Sequence, residues 1–165
     1  MNLVEAAAAA QELAERGAER ELAQMRMQWA DEVEGAARHA DYRVRALAYR
    51  AVGQFRFRQK LELLRRGLED ESPAARGSAL LSVELLSRDA PGVVNSVRPA
   101  LHEMSTRDPH NAVRRLAIAA LKNGSPQRET IVLLSGIAEE DDQDRDVRNA
   151  ARTVAAALTK KSRTR

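Results

Sequence analysis

The sequence predicts an all-α fold, an α-α superhelix of about four helix pairs with an N-terminal capping helix. Three observations favour this solenoid. A helix with one apolar face recurs four times in the same register, and each copy follows a second helix of the same kind. The composition is also typical of alanine-rich helical solenoids, because charged residues make up 31% of the chain and aromatic residues only 3%.

The repeat is defined by an arginine that follows the first apolar residue of each copy. Three residues after each arginine is an alanine, and six residues before it is an aspartate in three copies and His39 in the first. The arginines are Arg45, Arg76, Arg114 and Arg148, spaced by 31, 38 and 34 residues. One such pattern would predict a generic helix, whereas four in register predict a repeat.

We call the first helix of each pair helix A and the second, which carries the arginine, helix B. A single pair cannot bury both apolar faces, so the copies are expected to stack into one continuous core. In helix B we expect the core at positions −1, +2, +3, +6 and +7 from the arginine, which includes Leu47, Ala48 and Val52 in the first copy.

Glycine and proline set the predicted boundaries. Gly17 ends or kinks the first helix, so residues 1–38 form either one helix or two, and Ser72-Pro73 separates the helices of the second pair. The resulting segments are a capping helix at 1–17, a repeat domain at 18–158 and a basic tail at 159–165 that is expected to be disordered. The four repeats are predicted at about 18–55, 56–89, 90–124 and 125–158.

The motifs D-x4-A-R at Asp70 and D-x4-V-R at Asp108 and Asp142 resemble those of the HEAT-repeat family, including its bacterial, phycobilisome-lyase-like branch. The resemblance covers roughly residues 19–158. It implies a right-handed armadillo-like superhelix with a ladder of aspartates and arginines under the turns. The implied ladder residues are Asp70, Asp108, Asp142, Arg45, Arg76, Arg114 and Arg148.

The chain has the length of one domain and carries no run of 18 apolar residues and no signal-peptide pattern, so we expect a soluble, cytoplasmic protein without a membrane partner. With no cysteine, disulfides and thiol nucleophiles are excluded. Net charge is +3, but residues 43–66 hold eight basic side chains and only one acidic one. Such a segment is compatible with an acidic partner, protein or nucleic acid, but we favour the simpler interpretation that it forms the solvated faces of two arginine-rich helices.

No motif predicts catalysis, a metal site or a cofactor. Asp142, Asp144 and Asp146 alternate as in a calcium loop, but Val147 and Thr153 replace the glycine and the bidentate acid that such a loop needs. There is no P-loop, no dinucleotide-binding glycine pattern and no nucleophile elbow. We therefore expect a protein that is not an enzyme.

The face of helix B opposite the core is the predicted partner surface, which the family resemblance places on the concave side. It lies at +1, +4, +5 and +8 from the arginine and includes apolar side chains that a purely solvated face would lack. The alternative is that +4 residues are buried against the next repeat, which we favour for Leu80 and Ile118. The predicted partner-binding residues are Tyr49, Arg50, Leu81, Arg115, Lys122 and Arg152.

The leading functional hypothesis is a non-catalytic scaffold or adaptor that binds a protein or peptide, acidic in character, along this concave face. A nucleic-acid-binding module that uses the basic helix B face and residues 43–66 is the alternative. A second alternative is an enzyme-like module related to phycobilin lyases. We expect either a monomer or a homodimer formed through the N-terminal helix.

Overall fold

The structure of the chain is a computed structural model that describes residues 1–164, and every regular element in that range is helical. The all-α prediction is confirmed. A 3₁₀ turn at Arg58–Lys60 precedes the fourth helix. The α-helices are α1 (Leu3–Glu15), α2 (Glu19–Ala37), α3 (Tyr42–Gln54), α4 (Leu61–Leu68), α5 (Pro73–Ser87), α6 (Gly92–Arg107), α7 (Asn111–Leu121), α8 (Arg128–Ala138) and α9 (Arg145–Arg163).

The chain forms two compact units, divided between Leu86 and Ser87. In the N-terminal unit, α1 packs on α2 and α3, α2 packs on α3, and α3 also contacts α4. In the C-terminal unit, α6 packs on α7, α8 packs on α9, and α7 packs on α9. Helices that are adjacent in sequence therefore pack as pairs, as the repeat predicts.

The first two helices are separate elements. Asn2 caps α1, since its side chain accepts a hydrogen bond from the Glu5 amide while the Glu5 carboxylate accepts one from the Asn2 amide. Gly17 has a φ of 71°, a left-handed conformation that favours glycine and breaks the helical path before α2. The alternative of one continuous helix over 1–38 is therefore wrong.

The predicted break at Ser72-Pro73 is confirmed. The Ser72 hydroxyl accepts a hydrogen bond from the Ala75 amide at 3.3 Å, and Pro73 is the first residue of α5. The carboxylate of Asp70 accepts a hydrogen bond from the Ser72 amide at 2.9 Å and shapes the turn before it. Turn chemistry in the sequence thus sets where the second helix B begins.

The buried face of helix B is shifted relative to the predicted one. Ala48, Ala51 and Val52 are fully buried as expected, but Leu47 is 45% exposed, so its assignment to the core is wrong. Gly53, at the +8 position, is buried because α3 approaches α5 closely there. The packed stripe of α3 therefore runs through +3, +4, +6, +7 and +8.

Two glycines allow close approach of helices in the N-terminal unit. A Cβ atom added to Gly53 would lie 2.7 Å from the Ser82 Oγ and 2.8 Å from the Ser82 Cα. A Cβ atom added to Gly67 would lie 2.7 Å from the Cβ of Ala79 and 3.0 Å from the ring of Tyr49. Any larger side chain would push these helices apart.

The predicted disordered tail is wrong for residues 159–163, because α9 continues to Arg163. Leu158 is fully buried, and the Lys161 ammonium donates hydrogen bonds to the carbonyls of Lys122 and Gly124 at 3.0 and 3.1 Å. Basic side chains in the last turn also interact favourably with the helix dipole. Arg165, the last residue of the predicted tail, lies outside the described residues.

Within residues 1–164, no helix is both long and apolar enough to cross a membrane.

Candidate functional site

The basic segment 43–66 makes ion pairs within the N-terminal unit. Arg56 additionally donates to the carbonyl of Gly53 at 2.8 Å. Much of the positive charge that would suit an acidic partner here is therefore compensated internally. The ion pairs are Arg43 with Asp41 (3.0 Å), Arg45 with Asp70 (2.8 Å), Lys60 with Glu34 (2.8 Å) and Arg65 with Glu62 (3.8 Å).

One rung of the predicted ladder forms between Arg45 and Asp70. The Nε and Nη2 atoms of Arg45 donate to the two carboxylate oxygens at 2.8 and 3.0 Å, a bidentate pair. The Arg45 Nη1 atom donates to the carbonyls of His39 and Ala40. The hydrogen bonds from Arg45 hold the pKa of the Asp70 carboxyl below its usual value.

A second rung forms in the C-terminal unit, but with a different partner from the predicted one. The Arg114 Nη1 atom donates to the Gln143 side-chain oxygen at 2.6 Å, whereas Asp142 is exposed and makes no bond to the described residues. The assignment of Asp142 to the ladder is therefore wrong. Gln143 lies one residue closer to α9 than Asp142 does. Its uncharged side-chain amide oxygen, rather than a carboxylate, accepts the hydrogen bond from Arg114.

The other ladder residues have mixed outcomes. Arg76 donates to the carbonyls of Asp70 and Glu71, while Asp108 is buried and accepts a hydrogen bond from the His110 amide at 3.0 Å. The pairing of Arg76 with Asp108 stays a prediction. The Arg148 side chain makes no hydrogen bond or ion pair with residues 1–164, and its Nε atom is buried without a partner, so no rung extends from it.

Tyr49 does not belong to an open partner surface. It is only 4% exposed, its ring lies against Gly67, and its hydroxyl donates to the Ala37 carbonyl at 3.5 Å. Burial raises the pKa of the Tyr49 hydroxyl. Its assignment to the partner-binding set is wrong because the +4 register of helix B turns toward neighbouring helices, which also buries Leu80 and Ile118 completely.

The remaining predicted partner residues lie near the surface of both units. In the N-terminal unit, Leu81 is 38% exposed and Arg50 is half-buried. In the C-terminal unit, Arg115, Lys122 and Arg152 are all exposed. The C-terminal unit therefore presents three of the six predicted residues, all of them basic.

A groove of about 460 Å³ runs between α8 and α9 and includes Arg152. Its α8 wall carries Ser135, Ala138 and Glu139. Its α9 wall consists of Arg152, Ala155, Ala156, Thr159, Lys160 and Arg163. Small side chains therefore line much of the groove, and its basic side chains outnumber the single acid.

Arg152 is held at one end of the groove. Its Nη2 atom donates to the Ala138 carbonyl at 3.1 Å and its Nη1 atom to the Asn149 side chain at 3.1 Å. Lys160 and Arg163 are exposed and make no hydrogen bond or ion pair with residues 1–164. Both are available to an anionic ligand.

Sequence reasoning missed Lys160 and Arg163 because it treated them as part of a disordered tail. Their spacing from Arg152 contains the signal, since residues 152, 156, 160 and 163 follow the i, i+4, i+8, i+11 pattern of one helix face. Extending the helix by five residues, to Arg163, would have placed them on the same face as Arg152.

No group of three or more histidine, cysteine, aspartate or glutamate side chains within residues 1–164 could hold a metal ion.

Comparison with known families identifies the repeat. The family model described as HEAT repeats matches residues 33–94, which span the end of α2, the whole of α3, α4 and α5, and the start of α6. No curated protein and no solved structure matches the chain. The matched residues contain two of the four copies of the arginine register, and the same register continues in α7 and α9. Residues 33–94 therefore match the HEAT-repeat family.

Proposed function

We propose that this protein is a non-catalytic scaffold whose C-terminal unit binds an acidic helix of a partner protein in the groove between α8 and α9. The observation that carries the proposal is the row of basic side chains, Arg152, Lys160 and Arg163, along a groove lined with alanines. HEAT repeats generally serve as protein-interaction scaffolds, which supports the same class of function.

The dimensions of the groove favour a short helix as the ligand. Arg163 lies eleven positions after Arg152, which corresponds to roughly 16 Å along α9, or about three turns of a partner helix. Ala138, Ala155 and Ala156 let a partner backbone approach closely, as in other helix-in-groove interactions. A matching ligand would carry acidic residues on one face and small apolar residues on the other.

Exposed basic residues of α7 extend the positive surface of this unit. Arg115 lies in α7 and Lys122 is its C-cap residue seven positions later, so both lie on the same side of this helix, which packs on α9. We propose that they attract the same acidic partner by long-range electrostatics. A contribution of Arg50 and Leu81 to partner binding in the N-terminal unit is a separate proposal.

The test is a binding titration with a fluorescent acidic amphipathic peptide. The peptide carries glutamates at i, i+4 and i+7 with alanine and leucine on the opposite face, and anisotropy is measured at about 20 and 150 mM salt. We expect the double variant Arg152→Glu/Lys160→Glu to weaken binding at least about tenfold. The matched control is Arg16→Glu/Arg20→Glu, which makes the same change in net charge at exposed positions outside the groove.

Equal affinities for the native protein and the groove variant would overturn the proposal. A duplex DNA of arbitrary sequence is the comparison ligand. If it bound more tightly than the peptide, with an affinity that fell steeply with salt, the nucleic-acid alternative would replace the scaffold proposal.

A further inference from the structure

A second cavity in the C-terminal unit holds a buried positive charge. It measures about 260 Å³, enough for roughly eight water molecules, and lies between α6 and the start of α8. Five of its six lining residues carry polar or charged side chains. The lining residues are Asn95, Arg98, Pro99, His102, Gln127 and Glu129.

Arg98 is the distinctive group of this pocket. It is only 6% exposed, yet no carboxylate of residues 1–164 lies within ion-pair distance. Its Nη2 atom donates to the Asn95 side chain at 2.7 Å and to the Ser125 carbonyl at 3.0 Å, both uncharged acceptors. Its Nε atom is buried without a partner, and Nη1 makes no hydrogen bond to the described residues. Buried charges are normally paired, because burial without a counter-charge is costly.

The close packing around Arg98 shows that its position is built into the fold. A Cβ atom added to Gly124 would lie 2.8 Å from the Arg98 Nη2 atom and 2.5 Å from a Val94 methyl group. Glycine at this position therefore leaves the space that the guanidinium occupies. Burial lowers the pKa of Arg98, as expected for a cation with little compensating charge.

The N-terminus of α8 borders the same pocket. The helix has 11 residues, and its N-cap residue, Gln127, makes no side-chain capping bond. The first-turn amides of Arg128, Glu129 and Thr130 have no acceptor in the described part of the chain. Free amides at a helix N-terminus attract anions through direct hydrogen bonds and through the helix dipole.

His102 fixes α6 to this end of α8. Its Nε2 atom lies 2.9 Å from the Thr130 hydroxyl oxygen, within hydrogen-bond distance. Glu129, the only acid among the lining residues, is exposed and lies outside ion-pair distance of Arg98. The pocket therefore combines a buried guanidinium and free helix amides with a single competing carboxylate.

We infer that this pocket is a binding site for a small oxyanion, the phosphate or carboxylate group of a ligand. The anion would supply the charge that Arg98 lacks, with Nη1 of Arg98 and the first-turn amides of α8 as donors and the amides of Asn95 and Gln127 beside them. The site is distinct from the groove between α8 and α9 and does not depend on the proposed scaffold function.

The first test is an NMR titration of the whole protein with inorganic phosphate and, separately, with acetate. We expect saturable shifts of the Arg128, Glu129 and Thr130 amides and of the Arg98 side-chain N–H signals. Phosphate alone causing shifts would assign the site to phosphorylated ligands, and acetate alone would assign it to carboxylates; either result supports an oxyanion site. The inference would be overturned if neither anion shifted these signals in a saturable way.

Two variants test the role of charge in opposite directions. Arg98→Met removes the buried cation and is expected to abolish the shifts. Glu129→Gln removes the competing acid at an exposed position that does not endanger folding, and is expected to tighten anion binding on the order of tenfold. Unchanged binding in Glu129→Gln would contradict the inference even if Arg98→Met did not fold. The groove variant Arg152→Glu/Lys160→Glu should bind phosphate like the native protein.

Discussion

Three arginines of the N-terminal unit have charged partners, whereas three arginines of the C-terminal unit have uncharged partners. In the N-terminal unit, Arg26, Arg43 and Arg45 bond to the carboxylates of Glu19, Asp41 and Asp70. In the C-terminal unit, Arg98, Arg114 and Arg152 bond to amides and carbonyls, which carry no charge. No carboxylate of residues 1–164 pairs with Arg98, Arg114 or Arg152, which is why both proposed anionic ligands are placed in the C-terminal unit.

The two ladder rungs show this difference at equivalent positions. Arg45 meets Asp70 in a bidentate ion pair, whereas Arg114 meets Gln143 through one neutral oxygen. Each arginine also bonds to the turn that begins its own helix, Arg45 through the carbonyl of Ala40 and Arg114 through Asn111. The two copies of the repeat therefore share the position of the arginine contact, but the acceptor is charged in one copy and neutral in the other.

The largest effect is expected from a feature that the units share, the glycines at close helix contacts. Gly53→Ala in the N-terminal unit and Gly124→Ala in the C-terminal unit should each lower the free energy of unfolding by about 3 kcal/mol, because the new methyl group overlaps neighbouring atoms. Urea denaturation measures the change. If only one of the two variants lost stability, the tightness of helix packing would also differ between the units.

Matched controls for these substitutions are Gly35→Ala in α2 and Gly136→Ala in α8, where an added Cβ atom meets no atom within 4 Å. Each control should raise the free energy of unfolding by about 0.5–1 kcal/mol, because alanine has the higher helix propensity. If the controls were also destabilised, the losses in Gly53→Ala and Gly124→Ala would have to be attributed to backbone effects instead of close packing.

The next largest effect is a difference in the stability that the two rungs contribute. Asp70→Ala should lower the free energy of unfolding by about 2 kcal/mol, because it removes a bidentate charged contact and the hydrogen bond to the Ser72 amide. Gln143→Ala should cost about 1 kcal/mol, since it removes a single neutral acceptor. Equal losses measured by urea denaturation would refute the distinction between a charged and a neutral rung.

The two rungs should also respond differently to acid. Because the pKa of Asp70 is lowered in the folded state, its stabilisation is present above the unfolded value, near 3.8, and is lost as pH falls through the lower folded value. Asp70→Ala should therefore lose its destabilising effect in acid, whereas the effect of Gln143→Ala should not vary with pH. Thermal unfolding followed from neutral to acidic pH tests both variants.

A smaller effect is expected at His102, in the C-terminal unit. Burial lowers its pKa, with Glu129 opposing and Arg98 adding to that shift. The unfolded chain then binds a proton more readily than the folded one, so stability should fall as pH drops below about 6.5, by at most about 1 kcal/mol. Comparing urea denaturation near pH 7.5 and 5.5 for the native protein and His102→Gln isolates this contribution, which the variant should lack.

Much of the fold could be predicted from the sequence, because helix periodicity and turn chemistry are local signals. The break at Ser72-Pro73 and the repeated register from Arg45 to Arg148 required only neighbouring residues. The end of α9 could not be predicted in this way. Its last turns are held by the bonds of Lys161 to carbonyls near residue 123, a contact that no local pattern reveals.

The candidate site was less predictable, because it depends on which side of each helix is covered. Periodicity assigns a stripe of residues to a helix face but does not fix its width, so Leu47 was placed inside and Tyr49 outside, the reverse of the structure. Gln143 was overlooked because it lies within a run of acids from residue 139 to 146. Arg98 gave no sequence signal, since only the tertiary structure shows that it is buried.

The glycine contacts also have a consequence for how this sequence can diverge. Gly53, Gly67 and Gly124 occupy places where even a methyl group would collide with a neighbouring residue, whereas Gly35 and Gly136 face open space. Selection should therefore retain the first three in descendants of this gene while the other two drift freely. Their pattern of retention would record which helix contacts have persisted while the exposed residues changed.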